Sequence, residues 1–515
     1  MHRQARTWWS RELRSCARWL SPLHLRLPAA WLLTGLLALA ACQTLPDFPN
    51  RPLAQGAANA QPPSPVDADP SAPLILVAFS GGGSRAAALG LGVLDQLALS
   101  TYPSANGTVR LVDRIKVISS VSGGSVVAAW FGLVGPTRMD ELNKAFLAQD
   151  NMATLEWQAA DPVTLGRLAF GRYTRIDVLR DLLDRQLFHG ATFAALRQPG
   201  SPFVILNATD MESGEVFAFT PPRFDDICSD LGALPISVGV AASAAFPVAL
   251  SPMSLRNYSY SYETCPGALP PAGWIGADLT KQAARYIDLE EYKRARYANA
   301  LRNGRDPPPY RNEHYLHLLD GGLADNQGIH SLSEALISTH SPTELLRAIN
   351  LGQVKRIVVI SVNARSDTDS DVGRNEAVPG LLKVVNTVIG TPIDATTAYA
   401  NATMQELVST LKSAGATGSL APGKPLFAGM RVYGIAIDFD QFLPDQAALQ
   451  TAVKNVGTSW TLSSGELRDV LSAGRLLLSQ HPCYQRLLLD VGATDLTASP
   501  AQVRRNCPFE DDGGE

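Results

Sequence analysis

Two stretches of this sequence share one pattern. Leu74–Ser80 reads LILVAFS and passes through three glycines into SRAAALGLGVLDQLAL; Arg114–Ser120 reads RIKVISS and passes through Gly123 and Gly124 into SVVAAW. Each is an apolar run of strand length that turns on glycine into a helix with apolar spacing. A strand apolar on both faces offers neither face to water, so the sheet must be covered on both sides. Further runs of the same kind are FVILNAT (Phe203–Thr209), EVFAFT (Glu215–Thr220), HYLHLLD (His314–Asp320), RIVVISV (Arg356–Val362) and VYGIAID (Val432–Asp438). Such strands interleaved with helices predict an α/β fold with three layers, α/β/α, around a mostly parallel central sheet.

The segment before the first strand has a different character. Residues 1–28 carry six arginines against Glu12, and the mostly apolar AAWLLTGLLALAA follows. That run falls short of the roughly 20 residues needed to cross a bilayer. A basic region before a short apolar core reads as a secretory signal, over residues 1–41. It ends in LAAC (Leu39–Cys42), which resembles the lipobox of bacterial lipoproteins. The resemblance implies cleavage before Cys42 and lipidation of that cysteine, anchoring the chain at a membrane surface in the cell envelope. Gln43 is not the aspartate that favours inner-membrane retention in enterobacterial lipoproteins, which points to the outer membrane, facing the periplasm. Residues 43–72 hold seven prolines and little apolar periodicity. With Cys42 they read as a tether of about 30 Å r.m.s. reach if fully flexible. Residues 73–365 are then the expected catalytic domain, and 366–515 an extension that completes the sheet and adds helices.

The whole chain has a net charge of −4, and six arginines and one glutamate leave with residues 1–41, so the remainder carries −9. No Lys/Arg block survives to neutralise a row of phosphates, which excludes nucleic acid as an expected partner. Cys16 lies in the signal and Cys42 is the expected lipid site. Cys228, Cys265, Cys483 and Cys507 remain, an even number for an oxidising compartment. Three pairings are possible. Local loops close most easily, which favours Cys228–Cys265 and Cys483–Cys507, each stabilising by roughly 3–4 kcal/mol through loop entropy. No C-x-x-C spacing supports a metal site instead.

Chemistry concentrates in three stretches. Ser120-Val121-Ser122-Gly123-Gly124 fits the nucleophile elbow G-x-S-x-G, with serine at the first position, and puts Ser122 at the tip. SGGGSRAA (Ser80–Ala87) places Gly81, Gly82 and Gly83 between a strand and a helix N-terminus, where unpaired amides favour an anion. Neither phosphate-loop pattern fits, because Leu89 and Gly90 stand where lysine or the last glycine is needed. An oxyanion hole is the better use. LLDGGLADN (Leu318–Asn326) sets Asp320 at a strand end, facing the crevice where open α/β sheets bind ligands.

In this order the three stretches resemble the patatin-like phospholipase family, with its G-G-G-x-R-[GA], G-x-S-x-G and D-G-[GA] motifs. TDMESGEVFAF (Thr209–Phe219) and AASAAFPVALSPM (Ala241–Met253) resemble segments that lie between elbow and aspartate in that family. The likeness runs from Pro73 to Val362; the departures are Ser120 for glycine and Ala86 for the last glycine of the loop. It implies a bacterial lipoprotein member that hydrolyses acyl esters of lipids, phospholipid or lysophospholipid, without cofactor. Ser122 and Asp320 would form the dyad, Gly81, Gly82 and Gly83 the oxyanion-hole amides, and Arg85 would hold that loop or stabilise charge.

Rival readings are a Ser-His-Asp esterase using His330, ten residues past Asp320, and an inactive lipid-binding lipoprotein. DTDSDVG (Asp367–Gly373) resembles a calcium loop, but Val372 and Val378 stand where its glycine and glutamate belong. Residues 137–200 read as a helical insertion, either a plain layer or a lid or acyl-chain-binding element. Pro379–Lys412 has helical apolar spacing suited to core, membrane surface or acyl pocket.

Overall fold

The computed structural model describes residues 48–61, 69, 71–105, 107–169, 173–259, 314–337, 354–365, 381–417, 430–493 and 495–509. Its strands are β1 (Pro73–Phe79), β2 (Thr101–Ser104), β3 (Gly107–Arg110), β4 (Ile115–Val121), β5 (Phe203–Asp210), β6 (Val216–Ala218), β7 (Met253–Arg256), β8 (Tyr315–Asp320), β9 (Arg356–Val362) and β10 (Arg431–Ile437). Eight form one sheet in the order β10-β9-β1-β4-β5-β8-β7, with β6 also on β5, while β2 and β3 make a separate hairpin. β10, β9, β1, β4 and β5 run parallel; β6, β7 and β8 join antiparallel. Each expected strand is present, and β10 of the extension closes one edge. The short β2, β3 and β7 escape the sequence because each has only four residues, without the continuous apolar run that marks the other strands.

The main helices are α1 (Gly83–Leu99), α2 (Gly123–Val134), α3 (Asn151–Ala160), α4 (Pro162–Ala169), α5 (Arg175–Leu183), α6 (Ile236–Ser243), α7 (Ile329–Ile337), α8 (Leu381–Thr417), α9 (Ser464–Gln480) and α10 (Pro482–Val491). β1 shows why its run is apolar throughout. Ile75, Val77 and Phe79 enter a core with α1, α2, α6, α9 and α10, while Leu74, Leu76 and Ala78 enter a second core with Ile329 and Leu332 of α7 and Met404, Leu407 and Leu411 of α8. Side chains alternate across the pleat, so two buried faces need two apolar sets. That face of α8 is therefore core. Residues 139–147, 151–160, 162–169 and 175–188 are helical, with Tyr173 and Phe188 buried and Trp157 79% exposed; Phe170 lies outside the described residues. No helix among the described residues is long and apolar enough to cross a membrane.

The C-terminal extension is built into the domain rather than appended to it. α9 crosses α1 with backbones in contact, since a Cβ on Gly474 would stand 2.5 Å from the Leu89 carbonyl oxygen. Cys483 and Cys507 are disulfide-bonded with Cα atoms 5.2 Å apart. Cys228 is disulfide-bonded as well, and Cys265 lies outside the described residues.

One expectation needs correction. The described part of the 43–72 tether, residues 48–61, is not a free coil but a strap laid on the body. Asn50 is 1% exposed: its Nδ2 donates to Ser229 Oγ at 3.0 Å and the Arg256 carbonyl at 2.8 Å, and its Oδ1 accepts from the Arg256 amide at 2.9 Å. Asn59 donates to Asp225 and to the Ser229 carbonyl, and accepts from the Leu231 amide. Proline-rich, polar composition reads as a tether, but two asparagines complete the hydrogen bonding that docks it. Residues 1–47, Cys42 among them, and the Asp367–Gly373 stretch lie outside the described residues.

Candidate active site

Ser122 stands between β4 and α2 with φ 51° and ψ −120°, a backbone conformation uncommon for any residue but glycine. It is 7% exposed. A buried chain of hydroxyls holds this turn. The Ser122 amide donates to Ser243 Oγ at 2.8 Å, and Ser243 gives its own proton to the Asn207 carbonyl at 2.5 Å. Ser125 Oγ, 2.9 Å from Ser243 Oγ, must then be the donor to it. Ser120, where the elbow motif has glycine, lies 3.1 Å from Ser125 Oγ, which can then only accept its proton, with the Ile205 carbonyl as the alternative acceptor at 3.2 Å. Its side chain therefore belongs to the same buried chain.

Strand register brings the aspartate to the serine. Val121 pairs with Asn207 across β4 and β5, and Ala208 pairs with Asp320 across β5 and β8, so residues 122 and 320 lie level at the crevice. The Asp320 carboxylate accepts the Gly322 amide at 2.8 Å, and the Ser122 side chain lies near enough to lower its pKa. Burial, partly offset by these two neighbours, raises its pKa from 3.8 to about 6. A carboxyl of raised pKa beside a strained, buried hydroxyl has the form of a base and its nucleophile.

The glycine loop divides its amides. Gly81 donates its N–H to the Asn326 carbonyl at 2.9 Å, so the structure removes Gly81 from the expected oxyanion set. Ser84 donates to the Ser459 carbonyl at 2.8 Å. Between them, Gly82 and Gly83 (φ 137° and 58°) have amides with no partner among the described residues. Gly83 abuts Gly123, whose amide opens α2 directly after the serine. The residue after a nucleophile is an ordinary oxyanion donor, and this position is missing from the expected set.

Arg85 is 3% exposed, and its guanidinium is held by protein acceptors. Its guanidinium donates to the carbonyls of Ala364 and Val456 and to Thr458 Oγ1, and burial lowers its pKa to about 10. It ties α1 to two loops, of which 456–458 belongs to the extension. Asn326, unmarked in the sequence reading, joins three parts: its carbonyl holds Gly81, its Oδ1 lies against Gly322, and its Nδ2 donates to Thr397 of α8.

No histidine is hydrogen-bonded to Ser122 or Asp320 among the described residues. His330 is exposed and sits by Asp325, whose carboxylate accepts the His330 amide at 2.7 Å. Both line a pocket of about 290 Å³ beside Thr396 and Tyr399 of α8, and neither Ser122 nor Asp320 lines it.

Residues 77–333 match the family model of the patatin-like phospholipases. No curated protein sequence matches the chain. Among solved structures, human GIVD cytosolic phospholipase A2 is similar at 11% identity and a TM-score of 0.36, covering 82% of this chain and 60% of that one. The same human protein in complex with methyl gamma-linolenyl fluorophosphonate gives 12% identity and a TM-score of 0.38, over 82% of this chain and 59% of that one. Through residues 77–333, which hold the elbow serine, the glycine loop and the buried aspartate, this chain belongs to the patatin-like phospholipase family.

Proposed function

We propose that the protein is a serine acyl hydrolase that cleaves acyl esters of phospholipids or lysophospholipids at a membrane surface. The observation that carries this reading is the buried Asp320 carboxylate brought level with the strained Ser122 by strand register, beside two glycine amides with no partner among the described residues. Ser122 Oγ attacks the ester carbonyl while Asp320 takes its proton. The carbonyl oxygen, now negative, lies against the amides of Gly82, Gly83 and Gly123, preorganised donors of the kind that contribute a few kcal/mol each. The proton passes to the leaving alcohol, and Asp320 then activates water to release the acyl group. A dyad needs no third residue, and His330 faces Asp325 instead.

Cys42 carries the lipid in this reading and fixes the protein to a bacterial envelope membrane, the outer membrane facing the periplasm. The lipobox-like LAAC and the basic, apolar segment before it support the anchor.

The test is hydrolysis of phospholipid and lysophospholipid by the purified full chain. Ser122→Ala and Asp320→Asn, both folded, should each fall to background, and a fluorophosphonate should label the wild type at Ser122 alone. Full activity in either variant rejects the dyad. Labelling without turnover of any lipid ester rejects the substrate class.

A further inference from the structure

The docked strap fixes where a membrane anchor can be. Beyond the asparagine contacts, the Leu53 amide donates to the Cys228 carbonyl, Tyr258 Oη donates to the Asn50 carbonyl, and Phe48 stacks on Tyr315 with centroids 5.0 Å apart. The strap thus begins at Tyr315, the first residue of β8.

Register gives the height of that point. β8 runs antiparallel to β5, with Asp320 opposite Ala208 and Leu318 opposite Asp210. Residues of β8 numbered below 318 therefore lie progressively beyond the ends of β1, β4 and β5, on the side where Ser122 follows β4. Tyr315 stands five residues, about 17 Å, past the level of the serine. The opposite end of the sheet, where Pro73 pairs with Arg356, lies about 40 Å from Tyr315 by the same rise per residue. Only six residue steps separate Phe48 from Cys42. Whatever their conformation, they span at most about 22 Å.

We infer that the strap turns the lipid anchor into a short leash that holds the active-site end of the sheet against the lipid bilayer. An acyl chain at Cys42 cannot stand in a membrane that touches the Pro73 end, because the leash is about half the length required. Ester substrate then reaches the crevice from the bilayer without the body having to turn over. Exposed Met211, whose amide donates to the His317 carbonyl, lies on the same side. The inference rests on the reading of Cys42 as lipidated and of Ser122 as a lipid-ester nucleophile.

The experiment uses the lipidated full chain in phosphatidylethanolamine–phosphatidylglycerol vesicles that carry a headgroup nitroxide. A fluorophore is placed either at Met211→Cys or at Lys355→Cys, an exposed position at the far end of the sheet. Quenching at least threefold stronger at 211 than at 355 is expected, as is loss of that difference when twenty Gly-Ser residues follow Asp47. The spacer should also reduce vesicle-lipid hydrolysis severalfold and leave hydrolysis of a soluble short-chain ester unchanged. Equal quenching in the anchored protein, or a spacer without effect, overturns the leash and leaves the hydrolase standing. Wild type that floats free of vesicles as Cys42→Ser does overturns the anchor and the leash with it.

Discussion

Gly123 packs its Cα against the carbonyl of Gly83: a Cβ at 123 would stand 1.9 Å from that oxygen. The elbow and the glycine loop thus meet backbone to backbone, which keeps the serine within reach of the loop amides. Neither side has a flexible atom to move. Gly123→Ala should lose fluorophosphonate labelling and ester hydrolysis together, with a lowered melting temperature. Gly135→Ala is the control: its φ is 71°, but nothing lies within 4 Å of the new Cβ. It should cost about 1 kcal/mol and leave turnover intact.

Asp320 links rate and stability to pH in opposite directions. Its folded pKa of about 6 exceeds the unfolded value of 3.8. The stability it contributes is fully present below pH 3.8 and is lost as pH rises to about 6. The loss is about 3 kcal/mol once the folded carboxyl is ionised. Asp320→Asn should therefore melt higher than wild type at pH 8, with the advantage shrinking toward pH 4. Catalysis needs the ionised base, so kcat/KM should rise through about pH 6 to a plateau. A flat profile together with unchanged melting in the asparagine variant contradicts both expectations.

The strands and the three motif positions are readable because they rest on side-chain pattern: apolar runs, glycine spacing and an aspartate at a strand end. The rest depends on groups without a residue signature. Gly81 is lost to the oxyanion set because a backbone carbonyl, that of Asn326, takes its amide. Arg85 reads as a charge near the site, yet Val456 and Ala364 hold it through main-chain oxygens supplied by distant loops. The strap reads as a linker because asparagine is polar, and polarity alone does not say whether water or Arg256 satisfies Asn50. Register between β5 and β8, which sets the level of Asp320, is a tertiary fact that composition does not encode.

Ser243 is a positioning residue for the strained elbow, since its Oγ accepts the Ser122 amide at 2.8 Å and donates to Asn207. Ser243→Ala leaves a buried N–H unsatisfied, at a cost of about 1–3 kcal/mol. With that restraint gone, φ of 51° at Ser122 is less well held. A fall in kcat of tenfold or more is expected with KM within twofold, and the pH midpoint near 6 should stay, because Asp320 is untouched. A shift in KM alone would place Ser243 on substrate rather than on the elbow.

Arg85 connects the glycine loop to a segment beyond the family match. Its guanidinium reaches Ala364, Val456 and Thr458 in diverging directions, while the neighbouring Ser84 amide takes the Ser459 carbonyl. A lysine carries the charge but not the planar fork, so Arg85→Lys satisfies at most part of this set and buries a compact ammonium. Hydrogen bonds from a charged group contribute about 1.5–3 kcal/mol each. Thermal unfolding should show a loss of several kcal/mol for Arg85→Lys. Thr458→Val, which removes only the long 3.4 Å contact, should cost under about 1 kcal/mol. If Arg85 acts by holding the loop, ester turnover falls in proportion to the loss of packing between residues 83–85 and 456–459, measured as faster amide exchange at Ser84. Turnover abolished with exchange unchanged would assign the guanidinium a direct part at the oxyanion instead.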